Sequence, residues 1–194
     1  MILPLEKEKR YTYSDYLQWD DEVRYEIIDG VPYAMGSPSS THQRISRKLT
    51  KHIDTFLDGK PCELFYAPYD VRLNFDTFDD IVVQPDLLVV CDKSKIDKNS
   101  YNGVPDLIIE IVSPSTASMD RVRKYHLYRR AKVKEYWIID PDNKTVSFYT
   151  LKDDEYVSDA FGENDKLTSK VLEGFVVDLT EVFGVMVENE ATDK

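Results

Sequence analysis

The stretch Val82-Val83-Gln84-Pro85-Asp86-Leu87-Leu88-Val89-Val90 reads as a buried strand that carries one carboxylate. Further along, Leu107-Ile108-Ile109-Glu110-Ile111-Val112 repeats the pattern around Glu110. An unpaired carboxylate in an apolar strand is costly, so each of these two implies a partner, a proton or a metal ion.

Outward from these strands, the chain punctuates itself clearly. Ser14 can cap a short helix to about Asp21, and the alternating Arg24–Ile28 and Val31–Met35 flank Asp29-Gly30, a strong hairpin turn. Ile45, Leu49, His52, Ile53, Phe56 and Leu57 follow helical spacing until Gly59. Glu63–Asn74 reads as a strand bent near Pro68, Phe75–Asp80 as an acidic loop, and Ile81–Cys91 as one continuous strand. After a polar connection over Asp92–Val104, Pro105–Val112 makes a third strand, Ser113–Thr116 a turn and cap, and Ala117–Ala131 a second long helix. Val133–Asp140 is a strand, Thr145–Leu151, Glu155–Ala160 and Lys170–Val177 form a β meander, and Leu179–Phe183 is a helical turn. The order helix, three strands, helix, strand predicts an α/β core with a mixed sheet flanked by helices, preceded by a helix and hairpin and followed by a β extension. We expect one domain over residues 1–187 and a frayed tail over 188–194.

The chain has 194 residues, of which 42% are hydrophobic and 31% charged, and no apolar run is long enough for a membrane helix. In residues 1–10 charge follows the apolar stretch, the reverse of a secretory signal, so the cytoplasm is the expected compartment. Cys62 and Cys91 are too few and too far apart for a zinc pattern or a disulfide framework, and are expected to be buried thiols. A net charge of −11 argues against a general nucleic-acid coat protein. Arg44, Arg47, Lys48 and Lys51, and then Arg121, Arg123, Lys124, Arg129, Arg130, Lys132 and Lys134, nevertheless fall in segments without acids. They form either a local basic surface or two solvated helix faces.

Helical projection puts Asp120, Lys124, Leu127, Tyr128 and Ala131 on one side of the second helix. Its apolar part should pack on the sheet, which aims Lys124 toward the layer holding Asp86 and Glu110. The alternative is a Lys124 that snorkels to solvent or pairs only with Asp120. His42 shares the stripe of Ile45, Leu49 and Phe56 in the opening turn of the first long helix, where it reads as a core histidine or as a group at a site edge. Glu26 points with Ile28 in the hairpin, toward a site or toward solvent.

Five stretches in this order resemble one family. They are Arg24-Tyr25-Glu26-Ile27-Ile28-Asp29-Gly30, His42-Gln43-Arg44-Ile45, Val83-Gln84-Pro85-Asp86-Leu87, Pro105-Asp106-Leu107-Ile108-Ile109-Glu110-Ile111-Val112-Ser113-Pro114-Ser115-Thr116, and Glu135-Tyr136-Trp137-Ile138-Ile139-Asp140-Pro141. Together they are similar to the PD-(D/E)XK nuclease superfamily, and most closely to its Uma-two branch of restriction-endonuclease-like proteins. The chain departs from the superfamily pattern at the position two after Glu110, where Val112 stands in place of lysine. Lys124, on the following helix, is the candidate replacement.

The resemblance implies metal-dependent hydrolysis of phosphodiester bonds, with DNA favoured over RNA. Asp86 and Glu110, with the backbone carbonyl of Ile111, are the expected ligands of Mg²⁺ or Mn²⁺, and Lys124 is expected to assist the attacking water. Glu26, His42 and Gln84 are expected as supporting residues. A homodimer is compatible with cutting a duplex, although no stretch of the sequence marks an interface. Two rival readings remain: a nuclease fold retained as a binding or assembly module, and a hydrolase of a small phosphorylated molecule.

Overall fold

The computed structural model describes residues 9–20, 23–73, 78–113 and 119–184. At the start, Thr12 rather than Ser14 caps the first helix: its side chain accepts from the Asp15 N–H while the Asp15 carboxylate takes the Thr12 N–H. That helix, α1 (Tyr13–Tyr16), is a single turn and stops short of the expected Asp21. Strands β1 (Tyr25–Ile28) and β2 (Val31–Ala34) form the hairpin, and Asp29 and Gly30 take φ of 52° and 79°, the left-handed pair that a tight hairpin turn requires. Helix α2 (Ser40–Leu57) follows, capped by Ser39, with Ile45, Leu49, Ile53 and Leu57 on its buried side.

Proline breaks both of the next two expected strands. The first divides at Pro68 into β3 (Glu63–Tyr66) and β4 (Asp70–Arg72), the second at Pro85 into β5 (Val82–Val83) and β6 (Leu87–Val90). The two halves of each strand lie in different sheets, because β3 pairs with β6 while β4 pairs with β5. Proline lacks the N–H that a continuous ladder needs, so the bends fall where a strand can change sheets. The expected polar connection carries a short strand, β7 (Ser100–Asn102), parallel to β4.

Strand β8 (Leu107–Ile111) leads to a wide π-type turn over Met119–Lys124 that runs into α3 (Tyr125–Arg130), so the second long helix is regular only in its second half. Then come β9 (Glu135–Asp140), the hairpin β10 (Thr145–Lys152) and β11 (Glu155–Gly162), β12 (Lys166–Thr168), β13 (Val176–Asp178) and α4 (Leu179–Phe183). The expected strand over Lys170–Val177 is therefore replaced by the β12–β13 pair. The Ser113–Thr116 turn lies largely outside the described residues, as do much of the acidic loop and the 188–194 tail.

The larger sheet has the order β11-β10-β9-β8-β6-β3, with only β8 and β9 parallel. Along β6 and β8 successive side chains point to opposite faces. Leu87, Val89, Leu107 and Ile109 meet α2 and α4, and Leu88, Val90 and Ile108 meet α3 and the smaller sheet. That smaller sheet, β2-β1-β5-β4-β7, turns its other face to the aromatic residues around α1. The sequence-based sandwich of a mixed sheet between helices is thus the observed architecture.

The cysteines correct an expectation. Glu63 faces Val90 across the β3–β6 ladder, and the next pair outward, Cys62 and Cys91, is joined as a disulfide with Cα atoms 4.0 Å apart. Spacing in sequence hid a pairing that strand register creates.

Candidate active site

The site forms where the chain passes from one sheet to the other. Asp86 sits in that crossing, after Pro85, with its carbonyl accepting from Ala67 N–H at 3.1 Å. Its Oδ2 accepts the Ile111 N–H at 2.7 Å and lies 3.0 Å from His42 Nε2. Val112, the next residue, gives its own N–H to Ile139 of β9. Strand alternation therefore turns both backbone groups of Ile111, the carbonyl included, toward the β6 side and Asp86. His42 is set in place by the cap of α2, since Ser39 Oγ accepts the His42 N–H at 3.2 Å. His42 Nδ1 is buried without a hydrogen-bond partner among the described residues.

Behind Asp86, Lys124 lies at the centre of a buried charge cluster. Its Nζ is 2.9 Å from Glu26 Oε1, 2.9 Å from Glu110 Oε1 and 3.4 Å from Asp120 Oδ1. Lys124 points inward, not to solvent, and Asp120 is one of its partners rather than its sole partner. Glu110 Oε1 also accepts from Tyr128 OH at 2.7 Å, and the Asp120 carbonyl accepts from Tyr136 OH at 3.0 Å. Glu110 and Lys124 are each 4% exposed. Burial, reinforced by neighbouring carboxylates and only partly opposed by Lys124, pushes the Glu110 carboxyl well above its ordinary range. Burial works against the Lys124 ammonium, but Glu110 and Glu26 outweigh it and hold that amine above its ordinary value.

Gln84, on the other side of the crossing, ties β1, β4 and α1 together. Its N–H is donated to Glu26 Oε1 at 2.9 Å, and its Nε2 to Asp70 Oδ1 at 2.8 Å and to Tyr16 OH at 3.4 Å. Gln84 Oε1 is buried and has no partner among the described residues. Burial raises the Asp70 carboxyl, against the lowering effect of its bonds from Gln84 and Tyr13.

All six side chains singled out from the sequence, Glu26, His42, Gln84, Asp86, Glu110 and Lys124, thus line one cleft of about 650 Å³. Asp70 and Tyr16 escaped that reading. Asp70 has no apolar run to mark it, and Tyr16 belongs to a one-turn helix far away in sequence. Tyr128 read chiefly as core, yet its hydroxyl serves Glu110. The basic residues disperse instead: Arg121 binds Asp140 at 2.6 Å, Arg123 binds Tyr33 OH, and Arg44 and Arg47 are exposed on α2 outside the cleft lining. Asp106 binds Lys134 at 2.6 Å, away from this cleft.

Charge decides what the cleft can hold. Glu26, Asp86, Glu110 and Asp120 face it, against the cations Arg24 and Lys124. Among the described residues no three His, Cys, Asp or Glu side chains converge as a ready-made ligand cage. Mg²⁺ does not need one, because it commonly uses one or two carboxylates and completes its shell with water and phosphate oxygens. The surplus of carboxylates, the hard oxygen donors of Asp86 and Glu110 and the direction of the Ile111 carbonyl therefore fit such an ion.

A family profile named Uma2 and described as "Putative restriction endonuclease" matches residues 13–180. An uncharacterized protein of Synechocystis sp. is 30% identical over 145 residues, which is 73% of this chain and 74% of that protein. A second uncharacterized protein of the same organism is 28% identical over 166 residues, covering 82% and 92%. Among solved structures, a crystal structure from Anabaena variabilis, described as a "putative nuclease belonging to DUF820", is similar with a TM-score of 0.74. It is 19% identical, over 90% of this chain and 98% of that one, and so speaks to the fold.

Proposed function

The chain belongs to the Uma2 family, and from that premise we propose that it is a metal-dependent nuclease hydrolysing phosphodiester bonds, on DNA in preference to RNA. The observation that carries the reading is Lys124. The lysine missing two residues after Glu110 is supplied from the helical segment that follows, and its Nζ stands 2.9 Å from Glu110. The family's description as restriction endonucleases supports DNA as the polymer.

Asp86 and Glu110, with the Ile111 carbonyl, would hold Mg²⁺ or Mn²⁺. Such an ion supplies Lewis-acid polarisation of the phosphate and a lowered pKa for bound water. In the reaction a water oxygen bonds to phosphorus, the bond from phosphorus to one ester oxygen breaks, and that oxygen leaves with a proton. Lys124 sits beside Glu110 to orient the water and to offset charge that grows on the phosphate. Glu26 holds Lys124 in place and is itself fixed by the Gln84 N–H. His42, through Nε2, orients Asp86, and the Ile111 N–H does the same from the strand.

A second reading, a nuclease fold kept as a binding or assembly module, draws support from the closure of the buried network. Lys124 already meets three carboxylates, and Glu110 Oε1 already has two donors. The deciding experiment follows cleavage of labelled single- and double-stranded DNA and RNA in Mn²⁺, Mg²⁺ or EDTA by the wild type, Asp86→Ala and Lys124→Ala, with circular dichroism to check folding. The nuclease reading expects metal-dependent cleavage that falls by about 10²–10⁴-fold in both variants. A wild type that neither cleaves any substrate nor binds metal would move the assignment to the module.

A further inference from the structure

The same cleft carries information about the shape of its substrate. Its reactive residues are deep: Glu110 and Lys124 are each 4% exposed, and Asp86 shows 18% of its side chain. Cations that could track a backbone are few, since Arg24 and Lys124 face four carboxyl groups. A protein that holds a duplex through its phosphates relies on many lysine and arginine contacts, each releasing counterions. The chain as a whole, at −11, adds no general attraction.

What the cleft does offer is aromatic surface. Tyr66, at the end of β3, lines it while 60% exposed, which is unusual for so large a ring. Tyr33, on β2, lines it as well, with the Arg123 guanidinium 4.7 Å from its ring centroid. The two rings come from edge strands of different sheets. Proteins grip unpaired bases by stacking them on aromatic rings beside cations that follow the backbone; with so few cations here, the rings carry most of the grip, because every base has a face that can stack, whereas paired bases keep theirs buried in the duplex.

We infer that the cleft takes a single-stranded polynucleotide segment, with Tyr66 stacking on an unpaired base beside the phosphate at Asp86 and Glu110, and Tyr33 with Arg123 forming a second platform. This rests on the nuclease reading for the role of the phosphate, but the preference for unpaired bases is measurable without cleavage. A single strand is also thin enough to bring its phosphate to carboxylates this deeply placed, and its scission needs one site only.

The test measures binding of a labelled oligonucleotide, single-stranded or annealed to its complement, by fluorescence anisotropy in EDTA and in Ca²⁺. Cleavage of the same strands in Mn²⁺ is followed in parallel, for the wild type, Tyr66→Ala and Tyr66→Phe. Single strand should bind at least about tenfold more tightly than duplex, Tyr66→Ala should forfeit about tenfold of that, and Tyr66→Phe should keep it. Equal or tighter binding of duplex, or a Tyr66→Ala protein indistinguishable from wild type, would overturn the inference. Metal-dependent cleavage of duplex with no effect of Tyr66 sinks the inference and leaves the nuclease reading standing. Selective, Tyr66-dependent binding of single strand without cleavage in any metal does the reverse.

Discussion

Lys124 is the residue on which the electrostatics of the site turn. Replacing it with methionine keeps the bulk and leaves Glu26, Glu110 and Asp120 facing one another without their cation, a loss of about 3–5 kcal/mol at pH 8. The loss depends on pH in a stated direction. Burial raises Glu110 in both proteins, but Lys124 opposes that rise, so without it the folded variant holds the Glu110 proton more tightly than the folded wild type does, and the variant gains more stability as pH falls toward the ordinary value of about 4.3. Urea melts should therefore show the Lys124→Met deficit shrinking between pH 8 and pH 5; an equal deficit at both would contradict the account. At this scale the sequence was informative wherever cost is visible. Asp86 and Glu110 announced themselves by standing in apolar runs, and Lys124 by continuing an apolar stripe. Asp70 and the Tyr128 hydroxyl could not, since one stands in a short polar stretch and the other looks like any core tyrosine until its partner is known.

Among the elements, α2 does two jobs with one cap. Ser39 closes its first turn on the His42 N–H, and that same residue reaches Asp86. Ser39→Ala should cost about 1 kcal/mol in a thermal or urea melt and reduce cleavage by loosening His42, while Ser39→Asp should retain both. Unchanged activity in a destabilised Ser39→Ala protein would detach the cap from the site. The disulfide makes a second prediction: thiol titration of the unreduced protein should find neither Cys62 nor Cys91 free, and reduction should lower stability by about 2–4 kcal/mol. Helices, hairpin and core strands were legible from periodicity and turn residues. The change of sheet at Pro68 and Pro85 was not, because periodicity reports which side of a strand is apolar and not which strand lies beside it. The cysteine pair was hidden for the same reason, as was the wide turn at Met119–Lys124, whose inward residues keep a spacing close to that of an α-helix.

For the whole molecule, a net charge of −11 and a cleft with few cations limit how binding can depend on salt. The logarithm of affinity for single-stranded DNA should fall with the logarithm of salt concentration at a slope of about −2 or shallower, as expected for two or three phosphate contacts. A slope near −6 would reveal a basic surface beyond the cleft. The two sheets meet at the crossing that carries Asp86, so the architecture brings residues from β1, α2, the β5–β6 link, β8 and the turn before α3 to one place. The central claim is that this meeting point holds a metal ion against a scissile phosphate. It is tested most directly by single-turnover cleavage of an oligonucleotide whose scissile phosphate carries sulfur in place of one non-bridging oxygen, in Mg²⁺ and then in Mn²⁺. Sulfur is a poor ligand for Mg²⁺ and a better one for Mn²⁺. The account predicts that one sulfur isomer is cut slowly in Mg²⁺ and recovers in Mn²⁺; equal rates for both isomers in both metals, or no cleavage of the unmodified strand, would contradict it.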